Sequence, residues 1–291
     1  MTATFELTAF FELMVAPVAV AIAFRHASRA LGVRRAALEM SAVAVYGFTL
    51  EVVAMAVFGS HHYSEDWMLA PLGVPVAVAL VWSAVIVAAM AVAWRYGAPT
   101  LAARAAAAAL AAATLDMMIE PVAVGAGLWT WTPPGPWLGV PIGNFVGWGI
   151  IVGAYGYGAE RWAGGEGWTA LTRRAALAAG CIALLVAVGL VWTRLGLERA
   201  FENDRGWIVW VAVSLGAVSC RWWPFARPQV PHSLPERLAA TPGRGPQAVL
   251  LVVGVGFLIG ARFAGGGDEM AVVCAGSLLA VRTVAAVRRD A

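Results

Sequence analysis

Asp116 and Glu120 lie four residues apart inside an apolar run, LDMMIEP. On a helix that spacing sets both carboxyls on one face. Acids at bilayer depth are costly and usually mark a site, although an acid can also cap a helix or pair with an arginine. Pro121 follows at once, then an aromatic, proline-rich turn with Trp129 and Trp131, then a second apolar stretch carrying Asn144. A carboxylic acid removed from water keeps its proton to higher pH and can donate it. A carbon–carbon double bond is a weak base that needs such a desolvated acid, and aromatic faces stabilise the cation that results. Proton donation to an alkene is therefore the chemistry these residue types suggest. For Trp67, Trp137 and Trp168 the aromatic belt at a membrane interface is the preferred reading.

The other chemistry-bearing motif is the loop SHHYSEDW. His61 and His62 are weak metal candidates, because adjacent side chains on an extended segment point to opposite sides. The expectation is no metal and no cofactor. DDxxD-type clusters, a P-loop, GxGxxG and HExxH are all absent from the sequence, which disfavours diphosphate transfer, nucleotide binding and zinc proteolysis.

The elements that must hold these groups are membrane helices. Of 291 residues, 61% are hydrophobic and 13% charged, against about 45–50% and about 25% in soluble domains. Mean hydropathy is +0.76. The apolar runs are long and continuous, unlike those of a β-barrel. The fold class is all-α, a polytopic transmembrane bundle of eight to nine spans. The candidates are 5–24, 38–58, 69–94, 101–124, 138–159, 175–193, 206–220, 247–261 and 269–286. Cys181, Cys220 and Cys274 form no CxxC pair and read as buried thiols. The first segment carries Glu6 and Glu12 without a basic leader, and reads as a retained helix. The basic residues, all arginine, sit at helix ends, so they report topology and exclude a nucleic-acid partner. Their bias predicts an N-terminus outside and a cytoplasmic C-terminus, in a bacterial inner membrane.

With these spans, Glu12, Glu51 and Asp116 fall at one depth, ~10–12 Å below the outer boundary at 1.5 Å per residue. An internal echo supports one cavity. Gly73-Val74-Pro75 precedes Trp82, and Gly139-Val140-Pro141 precedes Trp148. Each GVP opens a helix with proline in its first turn. Each follows a helix bearing an acid, Glu51 in one case and Asp116 with Glu120 in the other. The pattern predicts a parallel repeat of helical hairpins with Glu51 across from the acid pair; chance likeness of apolar strings is the alternative. Residues 1–160 are expected to form the catalytic core. Residues 161–291, whose acids fall in loops or at helix ends, are expected to complete the same bundle. They include a proline-rich cytoplasmic loop at 221–246.

Three segments, LDMMIEP at 115–121, GLWTW at 127–131 and GVPIGNFVGW at 139–148, resemble the integral-membrane carotenoid biosynthesis family that contains the CruF-type carotenoid hydratases. The family pattern runs LDxxxDP, GxWxW, then G[IV]PxxNFxGW. A looser likeness extends over 38–95, through Glu51, Tyr63, Val74-Pro75 and Trp82. Glu120 stands where the family usually has Asp, SHHYSEDW replaces a Gly/Tyr-rich loop, and nothing aligns from 161 onward.

The resemblance implies cofactor-free hydration of the terminal isoprene double bond of a carotene. Asp116 and Glu120 would be proton donor and partner, Glu51 would position or deprotonate water, and Asn144 would hold the water or an acid. Trp129 and Trp131 would flank the cation, with Tyr63, Trp82, Trp148 and Glu12 also binding substrate. The partners implied are a long apolar isoprenoid and the lipid bilayer; oligomeric state is left open. Two alternatives stand: a carotenoid or terpene cyclase using the same acid, and a proton-coupled transporter of a lipid or small solute with the acids as relay.

Overall fold

Pro17 lacks the N–H that would reach the carbonyl of Leu13, and the chain widens just before it. A π-turn at Phe11–Val15 joins α1 (Ala3–Phe10) to α2 (Ala16–Leu31), and together they make one membrane-length rod. In this computed structural model residues 3–95, 100–162, 167–201, 205–219, 233–261 and 267–285 are described. Over them the protein is a polytopic helical bundle with one small β-ribbon.

Two helical hairpins of the same direction carry the ribbon. The first is α3 (Val33–Phe58), strand β1 (His61–Tyr63) and α4 (Val76–Arg95). The second is α5 (Leu101–Gly125), strand β2 (Trp129–Trp131) and α6 (Ile142–Trp162). The strands pair antiparallel, with His61 opposite Trp131, His62 opposite Thr130 and Tyr63 opposite Trp129. Both GVP prolines stand just ahead of their helices, and the Pro75 and Pro141 carbonyls accept the first helical N–H groups. Trp82 and Trp148, which follow them, stack at 3.8 Å between centroids. The duplication is incomplete: α4 packs on α5, whereas α3 packs on α2, α4 and α7.

The centre of the bundle is α4 and α5, the most buried of the membrane-length helices. Alanine along α5 lets α6 approach closely; a Cβ on Gly153 would lie 3.3 Å from that of Ala109. Pro121 removes the N–H that would bond the Met117 carbonyl. The indole of Trp137 fills that gap, donating to Met117 O at 3.0 Å. Trp137 is therefore a 1% exposed core residue and not a belt residue. Trp67, also expected in the belt, is buried and donates to Leu128 O at 3.2 Å. The side chain of Trp168 lies outside the described residues.

The remaining helices are α7 (Gly167–Arg194), α8 (Gly206–Ser219), α9 (Leu234–Ala240), α10 (Gly245–Ala261) and α11 (Gly267–Ala285), with a 3₁₀ turn at Leu197–Phe201 before α8. α7 packs on α6 and α3, α10 on α2, α4 and α5, and α8 and α11 on α5. Residues 220–232, which hold Cys220 and the start of the proline-rich loop, lie outside the described residues. Cys181 and Cys274 are buried free thiols.

Eight to nine spans are expected from the sequence. Among the described residues five helices are long and apolar enough to cross a membrane, or six if the pair α9–α10, bent by 93°, counts as one. Glycines and Asn144 dilute the hydropathy of α6. The 14 residues of α8 reach only ~21 Å at 1.5 Å each, short of a ~30 Å hydrocarbon core.

Ion pairs gather at the end of the bundle away from the ribbon. Arg174 of α7 forks onto Glu39 of α3, with Nε to Oε2 at 2.6 Å. Arg104 of α5 meets Glu160 of α6 at 2.5 Å. Arg95 donates to the carbonyls of Ala239, Thr241 and Gly243 around the end of α9.

Candidate functional site

A cavity of about 240 Å³ lies at the ribbon end of the bundle. Ten of the residues singled out in the sequence line it: Glu51, His61, Tyr63, Trp82, Asp116, Glu120, Trp129, Trp131, Asn144 and Trp148. Two separate helices therefore deliver three carboxyls to one space: α3 supplies Glu51, and α5 supplies Asp116 and Glu120 one turn apart.

Each carboxyl has neutral donors. Glu120 Oε2 accepts the indole N–H groups of Trp129 at 2.8 Å and Trp131 at 2.9 Å. Two residues apart on β2, these rings fall on the same face of the strand; the short strand lies over the end of α5, and both indoles reach the same oxygen. Glu51 Oε1 accepts from Trp82 Nε1 at 3.0 Å, and its Oε2 lies 3.0 Å from His61 Nε2. Asp116 Oδ2 accepts from Asn144 Nδ2 at 3.0 Å. The other oxygen, Oδ1, is buried and has no hydrogen-bond partner among the described residues. Asp116 itself is fully buried, at 0% exposure. No arginine lines the cavity among the described residues.

The strand separates the two histidines. His61 faces inward, buried, against Glu51; His62 is exposed. Among the described residues no three His, Cys, Asp or Glu side chains are grouped as a metal site would need. Burial lowers the His61 pKa, but the Glu51 hydrogen bond and the charges of Glu51 and Glu120 outweigh it, and the net shift is upward. Burial first, then the charges of Glu51 and Glu120, raise the Tyr63 phenol well above its ordinary value, so it remains a neutral donor.

Glu12 is the one expected substrate-binding residue that does not line the cavity. Its carboxylate accepts the backbone N–H groups of Met68 and Leu69, at 2.9 and 3.2 Å, and so ties the loop after β1 to the π-turn. Sequence reasoning also missed contributors. From the C-terminal part, Trp192 and Gly189 of α7, Phe257 of α10 and Glu198 line the cavity. Glu198, read as a solvated loop acid, accepts the first N–H groups of α6 at Ile142 (2.5 Å) and Gly143 (3.1 Å), and the Trp192 indole at 3.0 Å. Its position four residues past the basic end of α7 gave no hint of this, since the acceptor role depends on where α6 begins.

An apolar membrane bundle with a cavity of carboxyls and tryptophans near one end is the class this geometry defines. Residues 9–219 match the model of the family described as carotenoid biosynthesis protein, and the chain belongs to that family. The match runs through α8, beyond the point where motif likeness ends. No curated protein and no solved structure matches the chain.

Proposed function

We propose that the cavity hydrates the terminal isoprene double bond of a carotene-like isoprenoid. The observation that carries this reading is Asp116 Oδ1: a buried carboxyl oxygen without a partner, on an acid whose other oxygen is held by Asn144, in a wall of indole rings. A proton carried on Oδ1 has no competing acceptor and points to alkene protonation. The proton goes to the less substituted carbon and leaves a tertiary cation. The faces of Trp82, Trp129, Trp131 and Trp148 stabilise that cation. Water adds to it as a hydroxyl, and the water proton leaves on the Glu51 side of the cavity. Glu120, fixed by two indoles, holds the aromatic wall in register.

A cavity of about 240 Å³ is below the ~300–1,000 Å³ of pockets that enclose a drug-sized ligand. It suits one end group, with the rest of the chain left among apolar helices or lipid. In this reading residues 1–160 carry the chemistry and 161–291 wall the cavity, with the N-terminus outside and the C-terminus cytoplasmic in a bacterial inner membrane.

The test is expression in a carotene-producing host with mass analysis of the pigments. A gain of one water per end group is expected. Isomass products would point to cyclisation by the same acid, and unchanged pigment would defeat both.

A further inference from the structure

His61 is the motif the hydration scheme leaves unused, and its placement is not that of a spare loop residue. We infer that His61 Nδ1 is the base that takes the proton from the attacking water, with Glu51 and Trp82 as its positioning residues. This rests on the hydration reading and adds to it the identity of the base.

Glu51 looks at first like the obvious base, but both its oxygens are engaged, one by the Trp82 indole and one by His61. A carboxylate so held orients its neighbour. With Nε2 hydrogen-bonded to Glu51, the imidazole carries its proton there, and Nδ1 keeps the free lone pair. Nδ1 is buried and has no hydrogen-bond partner among the described residues. His61 and Asp116 line the same cavity, and each has one buried atom that lacks a hydrogen-bond partner among the described residues. A base aligned by a third group is the arrangement that activates weak nucleophiles.

The ring is fixed from every side. It lies against Trp131 at 4.9 Å between centroids with the planes tilted by 38°, and the β-ribbon register holds the two residues opposite each other. Tyr63 meets its edge at 5.7 Å. The titratable groups that face it are Glu51 from α3, Glu120 from α5 and Tyr63 on its own strand, with Asp116 across the cavity. The two carboxyls that act on it, Glu51 and Glu120, stabilise the imidazolium formed when the water proton arrives.

The step balances. Asp116 gives its Oδ1 proton to one alkene carbon, and the π pair forms that C–H bond. Water oxygen bonds the tertiary carbon as one of its O–H bonds breaks. That proton goes to Nδ1, and its transfer onward through solvent to Asp116 restores both groups. The sum is alkene plus water.

The test compares His61→Gln, His61→Ala and, as a control, exposed His62→Ala, all as full-length protein in detergent or liposomes with a linear carotene. Glutamine can keep the bond to Glu51 but cannot titrate. His61→Gln is expected to lower kcat by ~10²-fold or more with KM little changed, the range set by general-base catalysis. The low-pH limb of the wild-type rate profile should vanish in it. Added imidazole should restore part of the His61→Ala rate, in proportion to free-base imidazole, which a merely structural histidine would not allow. His62→Ala should match wild type. If wild type hydrates carotene while His61→Gln keeps its rate and its low-pH limb, the base assignment falls alone. If wild type forms no hydrated product, the assignment falls with the hydration reading. Should His61→Ala not fold, His61→Gln with an unchanged melting temperature decides the matter.

Discussion

Asp116→Asn separates proton donation from packing more cleanly than any other change in this cavity. The amide is nearly isosteric. Its carbonyl can take the place of Oδ2 as acceptor for Asn144 Nδ2, the 3.0 Å bond now present. Its NH₂ then occupies the buried Oδ1 position, which has no partner among the described residues. A protonated carboxyl leaves one donor unmade at this place and an amide leaves two. Because one unmade buried hydrogen bond costs about 1–3 kcal/mol, the variant should be less stable by about that much and still fold. Activity should change far more. A positioned general acid contributes ~10²–10⁴-fold, or about 2.7–5.4 kcal/mol at 1.36 kcal/mol per decade. An amide cannot protonate carbon at a useful rate, so the full factor should be lost. The assay is single-turnover conversion of a linear carotene by purified protein in liposomes, read by chromatography with mass detection, beside a thermal melt of each variant. A folded Asp116→Asn protein within about threefold of the wild-type rate would refute the acid assignment. If Glu120→Gln then carried the loss instead, the acid would be Glu120.

Glu120→Gln should still cost ~10-fold or more in rate, since an amide cannot accept both indole N–H groups on one oxygen as strongly as a carboxylate does; Trp129→Phe with Trp131→Phe should reproduce that loss if the role is positional, and wild-type rates in both would exclude it. Arg174→Ala leaves Glu39, 3% exposed, without its fork and should destabilise by ~3–5 kcal/mol, less whatever Arg35 at 3.6 Å recovers; an unchanged melt would show the pair to be dispensable. His61 gives a pH signature in stability. Its folded pKa lies above the ordinary 6.5, so its contribution is complete below about pH 6.5 and is lost as pH rises through the raised value. Wild type should therefore lose more melting temperature than His61→Gln between about pH 6 and about pH 9, and parallel curves would contradict the Glu51 pairing.

How much of this could be read in the chain depends on the range of each interaction. The meeting of Asp116 and Glu120 follows from helical spacing alone, and the helix is dictated by the apolar run around them. The placement of Asn144 and Trp148 follows from Pro141 opening the next helix. Glu51 opposite the acid pair was legible only through the GVP echo. The ribbon was not legible at all: three residues are too few for an alternating pattern, and β1 exists because β2, 68 residues later, lies beside it. With the ribbon unseen, His61 read as surface loop. Trp137 and Trp67 read as belt because composition cannot tell an interfacial tryptophan from one that answers a carbonyl orphaned by Pro121 or exposed at Leu128. Glu198 and Phe257 were out of reach for a similar reason, as their roles depend on helix–helix docking.

The partners of the buried acids separate structure from chemistry. At one end of the bundle Glu39 and Glu160 are met by Arg174 and Arg104. A guanidinium never gives up its proton, and the ion pair it makes fastens helices together. At the other end the donors to Glu51, Asp116 and Glu120 include three indoles, one carboxamide, one imidazole and the Tyr63 phenol. Apart from the histidine these are neutral and point without fixing charge, so a carboxyl can hold or release a proton while its geometry stays put. Replacing Asn144 with arginine should therefore be worse for turnover than replacing it with leucine. Leucine removes one bond to Oδ2 and leaves the acid able to carry its proton, whereas arginine would bring a permanent cation to both Asp116 and the site where the carbocation forms. Equal rates in folded Asn144→Leu and Asn144→Arg proteins would show that the neutrality of the donor set has no bearing on the reaction.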